Sequence, residues 1–576
     1  MTTNALRPTH ANRTTFPLMV THLTGTQRQM GAQHGAITRA AGGWEPALEY
    51  YPQMAQLMIG GSSKILRRVL TPIVEASLLR LDRARPYELK ARTEAFMEAL
   101  GVDTKIARTL MVMDVLQNLV NTAGRMKLGP FARQLREQAI PACSTLVTWG
   151  EASDNGTIRH GRNFDFPGVG VWETAPEVVW CTPSDGLRYA FVTLRGGDVP
   201  GVTVFNEAGL VITTHTRFNE RIDGSGMGIV DLVHNLVRKA RTLDEAETLL
   251  RRRPIASSWG LCVTSALDGY SVCFEVSGEL IRRLEPGDRE SFMAATNRYV
   301  HPDLKTQEVT ISPAFVRNSD GRYELLRAHA NRGALSLADL QRVLGSHEDS
   351  EVPGAVRASG GVPAQVLSVH SVVVEPENQK LHISVGPVPT GKGPWVELDW
   401  NWRDAPGFAI THYDRDSDTV VTHAESRFDR GDAAKALSAF VEAAAIHSHA
   451  GEPWRELVLL EKAVQFDGQA PSFRLLAGGA RLHKGDLQGA MEHFETGLEY
   501  ERSNFYQGQF MLWAARVAQQ SGKNRLAAAL RRDLLKLKHP LLGEHRAAAT
   551  REMTDALPLK SLLKTRLNYH LVDLQA

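Results

Sequence analysis

A chain of 576 residues holds three or four domains of roughly 100–200 residues each, which excludes a peptide hormone or a single small binding module. Its 66 Lys and Arg nearly balance 64 Asp and Glu, so the net charge of +2 supplies no global field to gather nucleic acid or an anionic membrane. Hydrophobic residues at 43% and charged residues at 23% are ordinary for a globular protein, and 27 Pro with 48 Gly are too few for a disordered or collagen-like chain.

Cys143, Cys181, Cys262 and Cys273 contain no CxxC pair, which argues against a zinc ribbon or a disulfide-stapled secreted domain and favours a reducing compartment. The first twenty residues carry Arg7 and Arg13 but no apolar run of signal-peptide length, and no window is apolar enough to span a bilayer. A cytoplasmic protein that binds neither nucleic acid nor membrane is expected.

In chain order, residues 1–140 read as mainly helical, with apolar residues at three- and four-residue intervals over 46–57, 63–81 and 87–126. From 144 to about 385, short runs rich in Val, Thr and Phe alternate with turn signals such as Asp154-Asn155-Gly156 and Asp268-Gly269, the punctuation of antiparallel hairpins. Two helical stretches are expected among the strands, one over 226–250 with Ser225 as its cap and one over 321–330 that continues through 337–344. Strands grouped on either side of helices imply a layered α+β domain, not a doubly wound parallel one. An irregular linker over 403–424 leads into an Ala- and Leu-rich helical region, 425–576. There Gly431-Asp432, Ala436 and Phe440 recur as Gly485-Asp486, Ala490 and Phe494, and Gly522 with Ala527 keeps part of the frame. Small residues where paired helices touch, with an aromatic one turn later, resemble tetratricopeptide repeats. Such a stack implies a docking surface for a protein partner or a cap that stabilises the rest.

The chemistry concentrates in Pro141-Ala142-Cys143-Ser144-Thr145-Leu146-Val147, followed by Gly161-Arg162-Asn163-Phe164-Asp165-Phe166. A thiol where a helical segment gives way to the first strand of a β-rich domain, with an Arg-Asn-x-Asp cluster on the next strand, suggests an N-terminal nucleophile. The precursor cleaves itself before the cysteine, and the freed α-amine, with a reference pKa of roughly 8, activates its own thiol. Regular alternation places Arg162 and Phe164 on one face and Asn163 and Asp165 on the other, so a twist or bulge is expected if both charges are to approach the cysteine.

These residues resemble the family of the penicillin-forming acyl-coenzyme A acyltransferase, to which bile-salt hydrolases and penicillin V acylases are more distantly related. The resemblance extends from Gly25-Thr26-Gln27-Arg28-Gln29-Met30-Gly31-Ala32-Gln33-His34-Gly35 to about residue 385. It implies a four-layer αββα N-terminal-nucleophile fold and a precursor, or zymogen, cut at Ala142-Cys143. Ala142 stands where relatives usually carry Gly, and it is small enough to keep the cut. The resemblance further implies that Asp165 holds the new α-amine, that Arg162 lowers the thiol pKa, and that Arg322 supplies a second cation. Asn297 would donate to the oxyanion, and His215 lies near a further oxyanion or substrate contact.

Other motifs are set aside. Gly386-Pro387-Val388-Pro389-Thr390-Gly391-Lys392-Gly393 mimics a phosphate loop, but Gly393 replaces the metal-binding hydroxyl and two prolines delete N–H donors. No HExxH occurs and the histidines lack ligand spacing, so no metal is expected. Arg251-Arg252-Arg253 reads as a solvated helix end. The organisation expected is a helical segment over 1–142, a catalytic domain over 143–402, the linker and the repeats. The function expected is a cysteine hydrolase or acyltransferase acting on a small-molecule amide or thioester through acyl-Cys143. It needs no cofactor, and the resemblance allows an acyl-coenzyme A co-substrate. The alternative is a non-catalytic interaction protein on the same scaffold. Partner, oligomeric state and natural substrate are not specified by the sequence.

Overall fold

A computed structural model describes residues 14–60, 68, 79–104, 106, 115, 118, 142–423, 426–449 and 451–575. The expected helix over 63–81 and the second half of that over 87–126 fall largely outside these residues.

The described chain opens with β1 (Thr15–Gly25), α1 (Gln27–Ala41), α2 (Glu45–Gly60) and α3 (Tyr87–Leu100). The segment read as helical therefore begins with a strand. Thr26 ends it and starts α1 through a capping box with Gln29. α3 stops at Gly101, whose φ of +83° supplies the left-handed cap that other residues adopt only under strain. α1 and α3 approach so closely that a Cβ on Gly31 or Gly35 would lie 2.1 Å from the Arg92 carbonyl or 2.2 Å from that of Phe96.

Next come β2 (Ala142–Gly150), β3 (Gly156–Asp165), β4 (Pro176–Pro183), β5 (Tyr189–Leu194), β6 (Thr203–Asn206) and β7 (Leu210–Thr216). The stretch expected as one helix over 226–250 is two, α4 (Ile229–Val237) and α5 (Leu243–Leu250), because Thr242 caps a new start. Ser225 caps neither, since its hydroxyl bonds to Asp223 at 2.6 Å. Then follow β8 (Trp259–Ser265), β9 (Tyr270–Val276), β10 (Ile281–Leu284) and β11 (Phe292–Ala295). α6 (Pro313–Arg332) starts earlier than expected, with Ser312 as cap and Pro313 in the first turn, and the expected continuation through 337–344 is a separate helix, α7 (Leu337–Leu344), because Gly333 ends α6 and Ser336 caps a new start. β12 (Ser368–Glu375), β13 (Lys380–Ser384), β14 (Trp395–Asp399) and β15 (Gly407–Asp414) complete the sheets. The stretch read as a linker thus contains a strand.

A nine-stranded sheet runs β10-β9-β8-β7-β6-β5-β4-β1-β15, and a six-stranded sheet runs β11-β2-β3-β12-β13-β14. All named pairings are antiparallel except β1 with β4, so the layered α+β reading holds and a parallel fold is excluded. Val178, Trp180, Val192 and Val211 of the large sheet pack on Val372, Val374, Leu381 and Ile383 of the small one. The outer face of the large sheet is covered by Met30 of α1 and by Leu232, Val233 and Leu236 of α4. The outer face of the small sheet is covered by Leu326 of α6 and Leu340, Val343 and Leu344 of α7. The layers are helix, sheet, sheet, helix.

The remaining helices are α8 (Gly431–Ser448), α9 (Pro453–Phe466), α10 (Pro471–His483), α11 (Leu487–Tyr500), α12 (Asn504–Gln520), α13 (Asn524–Lys536) and α14 (Gly543–Arg551). From α8 to α14 each helix packs on the next, and a two-stranded hairpin follows, β16 (Arg566–Asn568) and β17 (Asp573–Gln575). The repeated residues have a common use. Gly431, Gly485 and Gly522 take positive φ at helix entries, while Ala436, Phe440, Ala490, Phe494 and Ala527 are fully buried. No helix among the described residues is long and apolar enough to cross a membrane.

Candidate active site

Cys143 is the second residue of β2 and is buried, 1% exposed. The β2–β3 register pairs Cys143 with Phe164 and Thr145 with Arg162, so these four side chains share one face, which looks between the sheets. Arg162 Nη2 reaches Cys143 Sγ at 3.2 Å. Its other contacts are the carbonyls of Val202 and, at 2.8 Å, Thr214, and the Thr203 hydroxyl at 2.6 Å. Among the described residues no carboxylate pairs with Arg162, so its charge is directed at the thiol. Burial nevertheless pushes the Cys143 thiol above its ordinary pKa. Arg162 opposes that rise and Asp165 adds to it.

Ala142, Ser144, Asn163 and Asp165 occupy the opposite face, toward α6 and α7. No twist of β3 brings Asp165 across to the sulfur; the register shifts lie elsewhere, in β12 between Ser368 and His370 and at the far end of β2 between Thr148 and Gly150. The two charges therefore approach Cys143 from opposite sides, Arg162 at the sulfur and Asp165 at the level of Ala142. Asp165 accepts from the Ser368 hydroxyl at 2.6 Å, its second oxygen has no hydrogen-bond partner, and Arg322 Nη1 lies 4.0 Å from that oxygen. Burial raises the Asp165 pKa against the pull of Arg322.

Asn297 lies just past β11, where continuation of the β2–β11 register brings it opposite Cys143. Its Oδ1 accepts from the Cys143 N–H at 2.8 Å and from Arg322 Nη2 at 2.9 Å. Both of those groups can only donate, which turns Asn297 Nδ2 to the Thr216 carbonyl at 3.1 Å. In the unbroken chain the amide thus holds the backbone of the nucleophile. Arg322, in α6, donates to the Cys143 carbonyl and to the Ser144 hydroxyl at 3.0 Å. The segment around it is the middle of a helix, and Gly321 allows the Gly361 carbonyl within 3.0 Å of where a Cβ would be. His215, in β7, is fully buried with both ring nitrogens unpartnered. Burial, then Arg162, Arg217 and Arg322, hold it neutral.

Around the thiol face the walls are apolar. Phe164 stacks on Phe166 with centroids 5.1 Å apart, Trp172 meets Phe164 edge-on at 5.1 Å, and Tyr51 and Leu367 belong to the same cluster as Cys143. Cys181, Cys262 and Cys273 are free core thiols. Arginines lie near Cys181 at 3.8 Å and Cys273 at 3.9 Å, but Asp198 and Glu275 already neutralise them.

The glycine-containing stretch from Gly25 to Gly35 joins a buried charge cluster away from the thiol. His34 contacts Asp198 at 2.9 Å and Glu177 at 3.3 Å, and Arg92 contacts Asp198 at 2.7 Å. Lys392 of the phosphate-loop mimic is engaged by Asp429 at 2.5 Å and the Phe428 carbonyl at 3.1 Å. No group of three or more potential metal ligands occurs among the described residues. Ser368 has no sequence signal, since a serine that supports a carboxylate 203 positions away leaves no local pattern.

Residues 152–387 match the family model of acyl-coenzyme A:6-aminopenicillanic acid acyl-transferase. That span is less than half of the chain; it contains Arg162, Asp165, His215, Asn297 and Arg322 and begins after Cys143. No curated protein matches the chain. Among solved structures it is similar to the N-acylethanolamine-hydrolyzing acid amidase ortholog of Caenorhabditis elegans, at 16% identity and a TM-score of 0.29 over 41% of this chain and 93% of that one. It is also similar to a mutant conjugated bile acid hydrolase from Clostridium perfringens, at 11% identity and a TM-score of 0.34 over 47% of this chain and 97% of that one.

Proposed function

We propose that this protein is a self-cleaving cysteine hydrolase or acyltransferase of the N-terminal-nucleophile type, belonging to the family whose model matches 152–387. The observation that carries the reading is the pairing of Cys143 with an arginine that no carboxylate among the described residues neutralises, while its backbone N–H and carbonyl are held by Asn297 and Arg322. A core thiol has no use for three such partners.

In the first step Cys143 Sγ attacks the Ala142 carbonyl carbon, and the Ala142-Cys143 C–N bond breaks as the nitrogen takes up the thiol proton. Water then hydrolyses the resulting thioester, leaving an Ala142 carboxylate and a free α-amine on Cys143. Asn297 Oδ1 is already placed to accept from that nitrogen, and the unpartnered Asp165 oxygen is a further acceptor for the ammonium form. The amine takes the thiol proton as sulfur attacks a substrate carbonyl, then returns it to the leaving group. Neutral His215 and Asn297 Nδ2 are the oxyanion donors of the reading, and losing one such donor costs about 2.7–4 kcal/mol of barrier stabilisation. The aromatic wall suits an apolar acyl group on a small-molecule amide or thioester. Water or an acceptor amine resolves acyl-Cys143, and an acyl-coenzyme A thioester is a compatible donor. The C-terminal helices, of tetratricopeptide-like sequence, complete a protein that acts in the cytoplasm.

The test is covalent capture. A thiol-reactive acyl probe should label Cys143 and spare Cys181, Cys262 and Cys273, and Arg162→Met should slow labelling about 10²-fold or more. Equal labelling of the four thiols, or none at Cys143, removes the enzyme reading and leaves an interaction scaffold.

A further inference from the structure

The C-terminal hairpin reaches the nucleophile in three hydrogen-bonded steps, through Asn318 and Arg322. Arg322, which donates to the Cys143 carbonyl, also donates through Nε and Nη2, at 3.1 and 2.9 Å, to Oδ1 of Asn318, one turn earlier on α6. Asn318 Nδ2 points the other way, to the Gly360 carbonyl and, at 3.4 Å, to the carbonyl of His570. His570 lies in the turn between β16 and β17, and its carbonyl also accepts from the Gly360 N–H at 3.2 Å and the Ser359 hydroxyl at 3.1 Å. Asn318 is fully buried and occupied at both ends.

The chemistry suits positioning. A neutral amide fixes the guanidinium of Arg322 without cancelling its charge, which stays available to the Cys143 carbonyl and to Asp165. The His570 imidazole is 3% exposed, with both ring nitrogens unpartnered, and burial and then the Arg322 charge hold its pKa near 3. The hairpin is pressed into place. Val572 takes φ of +51°, a region β-branched residues avoid. Gly360 takes φ of +105°, and a Cβ there would lie 2.5 Å from the Tyr506 hydroxyl of α12 and 3.7 Å from Val572. Nearby, Arg357 forms a bidentate buried pair with Glu501, at the α11–α12 junction.

We infer that Asn318 is a positioning residue whose grip on Arg322 is completed by the C-terminal hairpin, so that the helical region is part of the support of Cys143 and not only a docking module. Its catalytic meaning rests on the reading of Cys143 as the nucleophile; its structural content does not.

Iodoacetamide alkylation of the full-length chain, followed cysteine by cysteine, separates the two. A buried thiol reacts through local opening, and the other three cysteines report opening elsewhere. In Asn318→Ala and in Gly360→Ala, which strains a positive φ and drives a Cβ against Tyr506 at the point where Gly360 bonds both Asn318 and His570, Cys143 should react about tenfold faster while Cys181, Cys262 and Cys273 keep their rates. Ser359→Ala, which removes a single donor, should give about threefold. A Cys143 rate unmoved by Gly360→Ala and Ser359→Ala, or acceleration of all four thiols together, overturns the inference. A chain that proves uncut at Ala142-Cys143 yet shows the selective response keeps it and removes the proposed function instead.

Discussion

The N-terminal segment gives the large sheet an interior strand, laddered to β15 over Thr15 to His22 and to β4 over Met19 to Gly25, and adds the buried Arg92–Asp198–His34–Glu177 cluster. The C-terminal helices add no strand to either sheet among the described residues; they pack on the layered domain through an apolar core shared with Ala314, Phe315 and Ala358, and through His449 with the Val169 carbonyl, Ser503 with Glu351, Arg357–Glu501 and the 566–575 hairpin. The difference teaches how each can act. A segment woven into a sheet stays in place after a backbone cut, so the scission proposed at Ala142-Cys143 would create a new chain end without dissociation. A region packed on side chains beside α6, with no strand in the sheets, can adjust Arg322 while leaving the ladders intact.

The contrast can be broken first at the N-terminal side. Arg92→Met strands Asp198 beside Glu177 with one cation fewer, and should cost about 3–5 kcal/mol in urea unfolding. A loss below about 1 kcal/mol would mean the cluster does not fasten the segment.

A smaller effect is expected from pH. Burial alone lowers the His34 pKa, but Glu177 and Asp198 outweigh it and raise the value to about 9 from 6.5. Below pH 6.5 folded and unfolded chains both bind the proton and the contribution is complete. Between 6.5 and 9 the unfolded chain releases its proton first, so stability falls as pH rises. The wild type should lose up to about 3 kcal/mol over that window relative to His34→Gln. Parallel curves for the two proteins would exclude His34 as the titrating group.

At the C-terminal side the smallest change is expected. Glu501→Gln leaves Arg357 its second carboxylate, Asp349, so unfolding should cost only about 1–2 kcal/mol. Because the anchor stands next to Gly360, Cys143 alkylation should still rise in this variant; an unchanged rate would mean that the anchor and the site are uncoupled.

Much of this was legible from local pattern. The Arg-Asn-x-Asp strand and the Gly-Asp helix entries each span only a few residues, and the structure uses them within single elements or adjacent strands; the helical stretch expected just before Ser144 lies outside the described residues. The strand Thr15–Gly25 has no signal of its own within a segment expected to be mainly helical, because its partners, β4 and β15, lie far along the chain, and an interior strand is defined by them rather than by its own period. Gly25 to Gly35 was visible as a signature, but its physical content, backbone contact with Arg92 and Phe96, needs the second helix. Asn318 had no signal at all, since the hairpin it meets is 252 residues away.

The central claim is a single scission, and the mass of the protein under denaturing conditions tests it most directly. Purified wild type should resolve into two chains meeting at Ala142-Cys143, and Cys143→Ala should remain one chain. An unbroken wild-type chain that still turns over an amide would contradict the account.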